Sequence, residues 1–219
     1  MCSGEADNFG TALPPKHSSG RSMSSSPLAA EVLIVVDLQT AFVSGPDAIP
    51  AAAAVVPTIA RLLSQARAAD ALIVHLQNDG PAGAPDEPGT PGWQLFLPVL
   101  EGPRESVIRK TKDDGFDGTS LGALLAAHGA RVLAVCGVMS EMCVGATARA
   151  ALRRGFAVLL PHDAHGTNDI PDTPGIGPRI PASHVSRVAE WALGDELTLV
   201  PRAADIIFAR RPSPPSPRP

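Results

Sequence analysis

Two kinds of hydrophobic pattern alternate along the chain. Continuous apolar runs occur at "EVLIVVD" (31–37), "ALIVHL" (71–76), "RVLAVCG" (131–137) and "FAVLLP" (156–161). Such runs read as strands covered on both faces. The shorter "SVIRK" (106–110) and "LTLV" (197–200) complete a set of six. Between the strands, apolar residues recur at helical spacing. Val55, Ile59, Leu62, Leu63 and Ala66 mark one helix. Leu121, Leu124 and Leu125 mark another, predicted to start near Thr119 and to stop at Gly129. A third helix follows the fourth strand and runs through Arg154 to Gly155. A fourth covers "PASHVSRVAEWAL" (181–193), with Val185, Val188 and Ala192 on one face. Strands separated by helices imply right-handed crossovers. The predicted fold is a three-layer α/β/α arrangement around a six-stranded, mostly parallel sheet.

The flanks break this pattern. Residues 1–29 are rich in Ser, Gly and Pro, and residues 210–219 form a proline-rich tail. Both are expected to be disordered, leaving 30–209 as one domain. The chain of 219 residues, 44% apolar and 18% charged, suits a single globular unit. A net charge of −4 without a basic stripe argues against nucleic acid or an anionic membrane as partner. Three cysteines, one of them in the N-terminal tail, make no disulfide framework and suggest a reducing cytoplasm. No signal pattern opens the chain, and no apolar run reaches the roughly 18 residues that a membrane span requires.

In open parallel sheets the ligand sits beyond the carboxyl ends of the strands. Three chemically capable residues meet that condition. Asp37 ends the first strand, Lys110 ends the third, and Cys143 follows the fourth across the turn "GVMSEM" (137–142). Taken singly, each has an ordinary explanation: a cap, a solvated lysine, a packed thiol. Together, at three strand ends, they point to an acid, an amine and a nucleophile converging on one crevice. Cys136 lies within the apolar strand and reads as a small hydrophobe. Cys143 is expected near a helix start, where free N–H groups and a neighbouring ammonium favour a thiolate. Lys112 is assigned to the surface.

These segments, "VVDLQTAF", "PGWQLFLPVL", "VIRKTKDDGFDGTSL", "CGVMSEMCVGATARAALRRGFAV" and "PHDAH", resemble the isochorismatase-like cysteine hydrolases, from about Val32 to Val200. The resemblance implies a catalytic triad of Asp37, Lys110 and Cys143. It also implies a non-proline cis peptide at Val138–Met139, and an oxyanion hole formed by the N–H groups of Met139 and Cys143. Members of that family usually self-associate, which implies a homodimer or tetramer. Gln39, Phe42, Trp93, Phe116, Glu141, Asp163 and His165 are the candidate pocket residues.

No cofactor is expected. The nicotinamidase metal set, an aspartate and two histidines after the second strand, has no counterpart in "VHLQNDGPAGAPDEPG" (74–89), where His75 lies within the strand. His162 and His165 lack a third ligand at matching spacing and read as polar loop residues. The acids Asp79, Asp86, Glu87, Glu141, Asp163, Asp169 and Asp172 favour a small cationic substrate over a dianion. The loops "PHDAHGTNDIP" and "IPASHVSRVAEWALGDELTLV" further resemble a family member that opens a lactam of a basic antibiotic. The implied activity is hydrolysis of an amide or lactam C–N bond. An enol-ether-cleaving isochorismatase, an N-carbamoyl amidohydrolase and a catalytically silent binding module are the alternatives. Trp191 is expected to be buried by its own amphipathic helix.

Overall fold

The computed structural model describes residues 28–210. The tail residues 1–27 and 211–219, expected to be disordered, lie outside the described residues. Ala29, placed in that tail by the sequence, is already part of a strand.

In chain order the strands are β1 (Ala29–Ala30), β2 (Val32–Val36), β3 (Leu72–Asn78), β4 (Glu105–Lys110), β5 (Val132–Val138), β6 (Ala157–Pro161), β7 (His165–Gly166), β8 (Thr198–Val200) and β9 (Ile207–Phe208). The α-helices are α1 (Thr40–Val43), α2 (Ala52–Ala68), α3 (Leu121–Ala127), α4 (Gly145–Arg153) and α5 (Ala182–Ala192). The central sheet runs β4-β3-β2-β5-β6-β8, and each of these pairings is parallel. These are the six strands that the apolar runs predict. The two-residue β7 pairs with β5 off that path, and β1 pairs with β9 separately. Two residues are too few to leave a periodic signal, so β7 was not foreseen.

Every residue of β2 is buried, and its side chains alternate between two cores. Leu33 and Val35 join Val55, Ile59, Leu62 and Leu63 of α2 on one face. Val32, Ile34 and Val36 join Leu121 and Leu125 of α3 and Ala148 and Ala151 of α4 on the other. This is the period of two expected of a pleated strand, with a helical layer on each side. Cys136 points into the first core, fully buried.

Helix α3 starts at Leu121, two residues after the predicted Thr119. Thr119 instead turns its hydroxyl onto the Gly115 carbonyl and accepts the Leu121 N–H. Helix α5 lies where expected, but its inward face is different. Ala182, Val185, Ser186, Ala189 and Glu190 are buried, whereas Val188 is 66% exposed and Trp191 83% exposed. Both the predicted face and the buried tryptophan are therefore corrected. The helix turns two polar residues inward because partners await them there.

Topology sets the site. From β2 the chain builds outward through β3 to β4, then returns to β5 on the other side of β2. The ends of β2 and β5 therefore form the switch point of the sheet, where such folds place their ligand.

Candidate active site

Asp37 follows β2 directly and is 1% exposed, with φ +46°. An aspartate tolerates this left-handed backbone better than a branched residue would. The twist is held at both sides, as the Asp37 N–H donates to Leu76 O and the Gln39 N–H donates to Asp37 O. Lys110 ends β4, two strands away, in register with Asn78 of β3. Its aliphatic stem crosses above β3, bringing Nζ within 2.7 Å of Asp37 Oδ2 and 3.3 Å of Cys143 Sγ. The three tips thus meet at one point. The contact between Lys110 and Asp37 is a buried ion pair.

Asn78 supports this pair. Its side-chain amide donates to Asp86 Oδ2 at 2.7 Å, and its Oδ1 lies 3.4 Å from Lys110 Nζ. Asp86 is itself buried, and Gly80 makes room for it: a Cβ there would sit 2.2 Å from Asp86 Oδ1.

Cys143 sits in a five-residue π-helical turn, Ser140–Val144, that leads from β5 into α4. Met142 interrupts the turn with φ −99° and ψ −106°. The N–H groups of Met142 and Val144 both bond to Met139 O. The Val138–Met139 peptide is cis, as the resemblance implied. Among the described residues the Met139 N–H donates to no protein acceptor.

The electrostatics differ from expectation. The Cys143 thiol is pushed up, not down. Burial is the main cause and the Asp37 charge adds to it, while Lys110 pulls the other way without offsetting them. Burial likewise raises the Asp37 carboxyl, against the pull of Lys110. Burial works against the Lys110 charge, but Asp37 and Cys143 together raise it, so the ammonium persists. The shifts thus disfavour a standing thiolate and favour the ammonium. Cys136 is also raised, by burial alone.

The candidate pocket residues separate into two groups. Gln39 is fully buried, and its side chain holds the backbone of Asn78 and Trp93 in place. Phe116 belongs to the second core, stacked 6.1 Å from Phe156 and covered by Arg154. Phe42 packs against the first core. Asp163 accepts the Ala203 N–H. These four serve the scaffold. Trp93, half-buried, donates from its indole to Asp79 and lies under Arg109. Glu141 is exposed on the turn that carries Cys143 and accepts from Thr167. The sequence missed Asp113, an exposed carboxylate whose Oδ1 lies 3.6 Å from Cys143 Sγ. The acid tally also shrinks: Asp79 pairs with Arg109 and Asp169 with Arg179. Lys112 is exposed, as expected, and pairs with Asp117.

His162 and His165 do gain a third partner. Glu190, fully buried on α5, approaches both rings, and the three donor atoms lie within 4.8 Å of one another. Burial opposes the Glu190 charge, but bonds from His165, His162 and Arg187 hold its carboxyl at about 2. The Arg187 guanidinium occupies its other oxygen.

Residues 31–173 match the isochorismatase domain family. The chain is 61% identical over 187 residues to a streptothricin hydrolase of Streptomyces noursei, covering 85% of this chain and 68% of that protein. It is 36% identical over 141 residues to a secreted isochorismatase effector of Verticillium dahliae, covering 64% and 74% of the two chains. The crystal structure of an isochorismatase from Pseudomonas putida superposes with a TM-score of 0.75 at 32% identity, covering 84% of this chain and 94% of that one. An acid, an amine and a thiol gathered at the switch point, together with these matches, place the chain in the isochorismatase family of hydrolases.

Proposed function

We propose that this enzyme is a cysteine amidohydrolase that opens an amide or lactam C–N bond in a small cationic molecule, with streptothricin as the first substrate to test. The observation that carries the reading is the contact of Cys143 Sγ with Lys110 Nζ at 3.3 Å, with Asp37 Oδ2 a further 2.7 Å from that nitrogen. The 61% identity to a streptothricin hydrolase supports this substrate, and resistance to that antibiotic would be the consequence.

The steps take Asp37 as the carboxylate paired with Lys110 and Cys143 as the thiol. As Sγ attacks the carbonyl carbon, a C–S bond forms and the thiol proton passes to Asp37. The Lys110 ammonium stabilises the sulfur charge during transfer. The oxyanion is received by the N–H groups of Met139 and Cys143. Collapse breaks the C–N bond, and Asp37 returns its proton to the leaving nitrogen. A water then attacks the thioester, giving one proton to Asp37. The acid product departs, and the proton returns to the sulfur. Because the thiol is raised at rest, proton transfer accompanies attack instead of preceding it.

Asp113 supports a cationic substrate. It is exposed beside the sulfur and, among the described residues, forms no ion pair. A cytoplasmic location fits two free cysteines, and no described helix is long and apolar enough to cross a membrane. Self-association fits the exposure of Trp191, Val188 and Ile176.

The test is incubation with streptothricin followed by mass spectrometry. The expected product carries one added water, and Cys143→Ala yields none. Turnover by Cys143→Ala would refute the covalent route. Release of pyruvate from isochorismate, with the antibiotic left intact, would move the chain to the enol-ether reading.

A further inference from the structure

A buried polar cluster stands directly behind the nucleophile turn, and the steps above do not use it. Ser140 opens the turn that carries Cys143. Its hydroxyl lies 2.8 Å from His165 Nδ1 and 3.0 Å from Ser186 Oγ. On the far side of the ring, His165 Nε2 lies 3.1 Å from Glu190 Oε1. The same oxygen receives His162 Nδ1 at 2.5 Å. Ser140, His165, Ser186 and Glu190 are each no more than 9% exposed.

Hydrogen-bond capacity orients the set. A carboxylate only accepts, so both ring nitrogens facing Glu190 donate. That bond fixes the His165 ring and aims Nδ1 at Ser140. The chain of contacts ties three separate segments together: the turn, β7 and α5. The turn is also held by the Met142 and Val144 N–H groups on Met139 O and by Thr167 on Glu141. Gly145 packs closely on it, since a Cβ there would lie 3.0 Å from Ser140 O.

We propose that His165, braced by Glu190, is a positioning residue that orients Ser140 and through it the Met139–Cys143 turn, so that Sγ and the Met139 N–H face the same carbonyl. This rests on Cys143 being the nucleophile, as above.

Two substitutions separate positioning from general support. Asn places a polar atom near Nδ1, and Gln places one near Nε2. His165→Asn therefore keeps the Ser140 contact and gives up Glu190, while His165→Gln does the reverse. Both leave the cluster half filled. Ser140→Ala removes only one hydroxyl and carries the test by itself if either histidine variant fails to fold. The readouts are kcat and KM, and the rate of Cys143 alkylation by iodoacetamide at one alkaline pH, assigned by peptide mass spectrometry.

Ser140→Ala and His165→Gln are expected to lower kcat by about tenfold or more with KM unchanged, as small misplacements do. Both should alter the alkylation rate. His165→Asn, which keeps the Ser140 contact but loses the Glu190 brace, is expected to fall between the parent and His165→Gln in kcat. Equal impairment of the two histidine variants, or parental kcat and alkylation in Ser140→Ala, would overturn the proposal. So would one equivalent of zinc retained by the full chain after dialysis and lost in His162→Ala, since the donors would then serve an ion. The alkylation measurement needs no substrate. Failure of streptothricin as a substrate is thus distinguishable from failure of the positioning role.

Discussion

The buried pair of Lys110 and Asp37 makes a quantitative prediction. Lys110 is 3% exposed and Asp37 is 1% exposed, 2.7 Å apart. Replacing Lys110 by Met keeps the stem and removes the charge, stranding a buried carboxylate without its cation. Removing one member of such a pair costs about 3–5 kcal/mol. For a chain of this size that is a drop of roughly 6–20 °C in Tm. Asp37→Asn strands the ammonium instead and should cost a similar amount. The double variant has no buried charge left, so it should recover about 2–3 kcal/mol relative to the sum of the singles. Protonation relieves a stranded carboxylate, so the penalty in Lys110→Met should shrink as pH falls through the raised Asp37 titration. It should remain large at alkaline pH. Thermal unfolding of the four proteins at several pH values checks each point. Additivity within about 0.5 kcal/mol would refute the coupling, and a penalty in Lys110→Met that does not vary with pH would refute the stranded carboxylate.

Other predictions concern the thiol, the strand junction, the substrate charge and acid stability. Because the Cys143 thiol is raised, its alkylation should be slow at neutral pH and climb steadily into the alkaline range. A plateau below pH ~8 would show a lowered thiol instead. Gly137→Ala places a Cβ 2.0 Å from Val36 O at φ +122°, prying β5 from β2 beside Asp37. Left-handed strain and overpacking together cost roughly 2–5 kcal/mol, to be read as a lower Tm. Asp113→Asn should raise KM for a cationic substrate by up to about fivefold with kcat unchanged, as an exposed charge pair is worth at most ~1 kcal/mol. Steady-state kinetics on charged and neutral amides would test it. At Glu105, burial opposes the charge, but bonds from Arg67 and His75 override it and hold the carboxyl at about 2, below its ordinary 4.5. Its contribution of ~3 kcal/mol is complete above about pH 4.5 and fades as pH falls toward 2. Glu105→Gln and the parent should therefore converge in stability across that window in acid-unfolding curves.

The fold was legible because burial wrote itself into the sequence. A strand covered on both faces has no polar residues, so "EVLIVVD" and "RVLAVCG" stand out, and the crossover rules then leave little choice of layer. Asp37, Lys110 and Cys143 were legible for a related reason. Each interrupts or follows an apolar run at the end where a parallel sheet presents its ligand. What was not legible involves residues whose partners are remote in sequence. Glu190 lies 25 residues beyond His165 with no motif between them. It joins that ring only because α5 packs against the turn. The apolar rule then misreads α5, since Ser186 and Glu190 turn inward to meet Ser140, His162 and His165. Val188 and Trp191 are displaced outward in consequence. Phe116 and Gln39 flank the chemistry in sequence yet serve packing and backbone, a distinction that only contacts reveal.

The thiol shows how sequence position and environment diverge. A cysteine before a helix, with a lysine near, suggests a standing thiolate. Here, however, the first turn is π-helical and broken at Met142, and the sulfur is partly buried beside the Asp37 charge. Desolvation and a like charge outweigh one ammonium at 3.3 Å. The same burial that suppresses the thiolate also raises Asp37. In the proposed mechanism the thiolate forms only as a carbonyl occupies the turn and the developing charge moves onto the backbone donors. On the proposed mechanism the geometry of Met139–Cys143 matters more to the rate than the resting charge of the sulfur, which is why the polar cluster behind Ser140 is the place to test it.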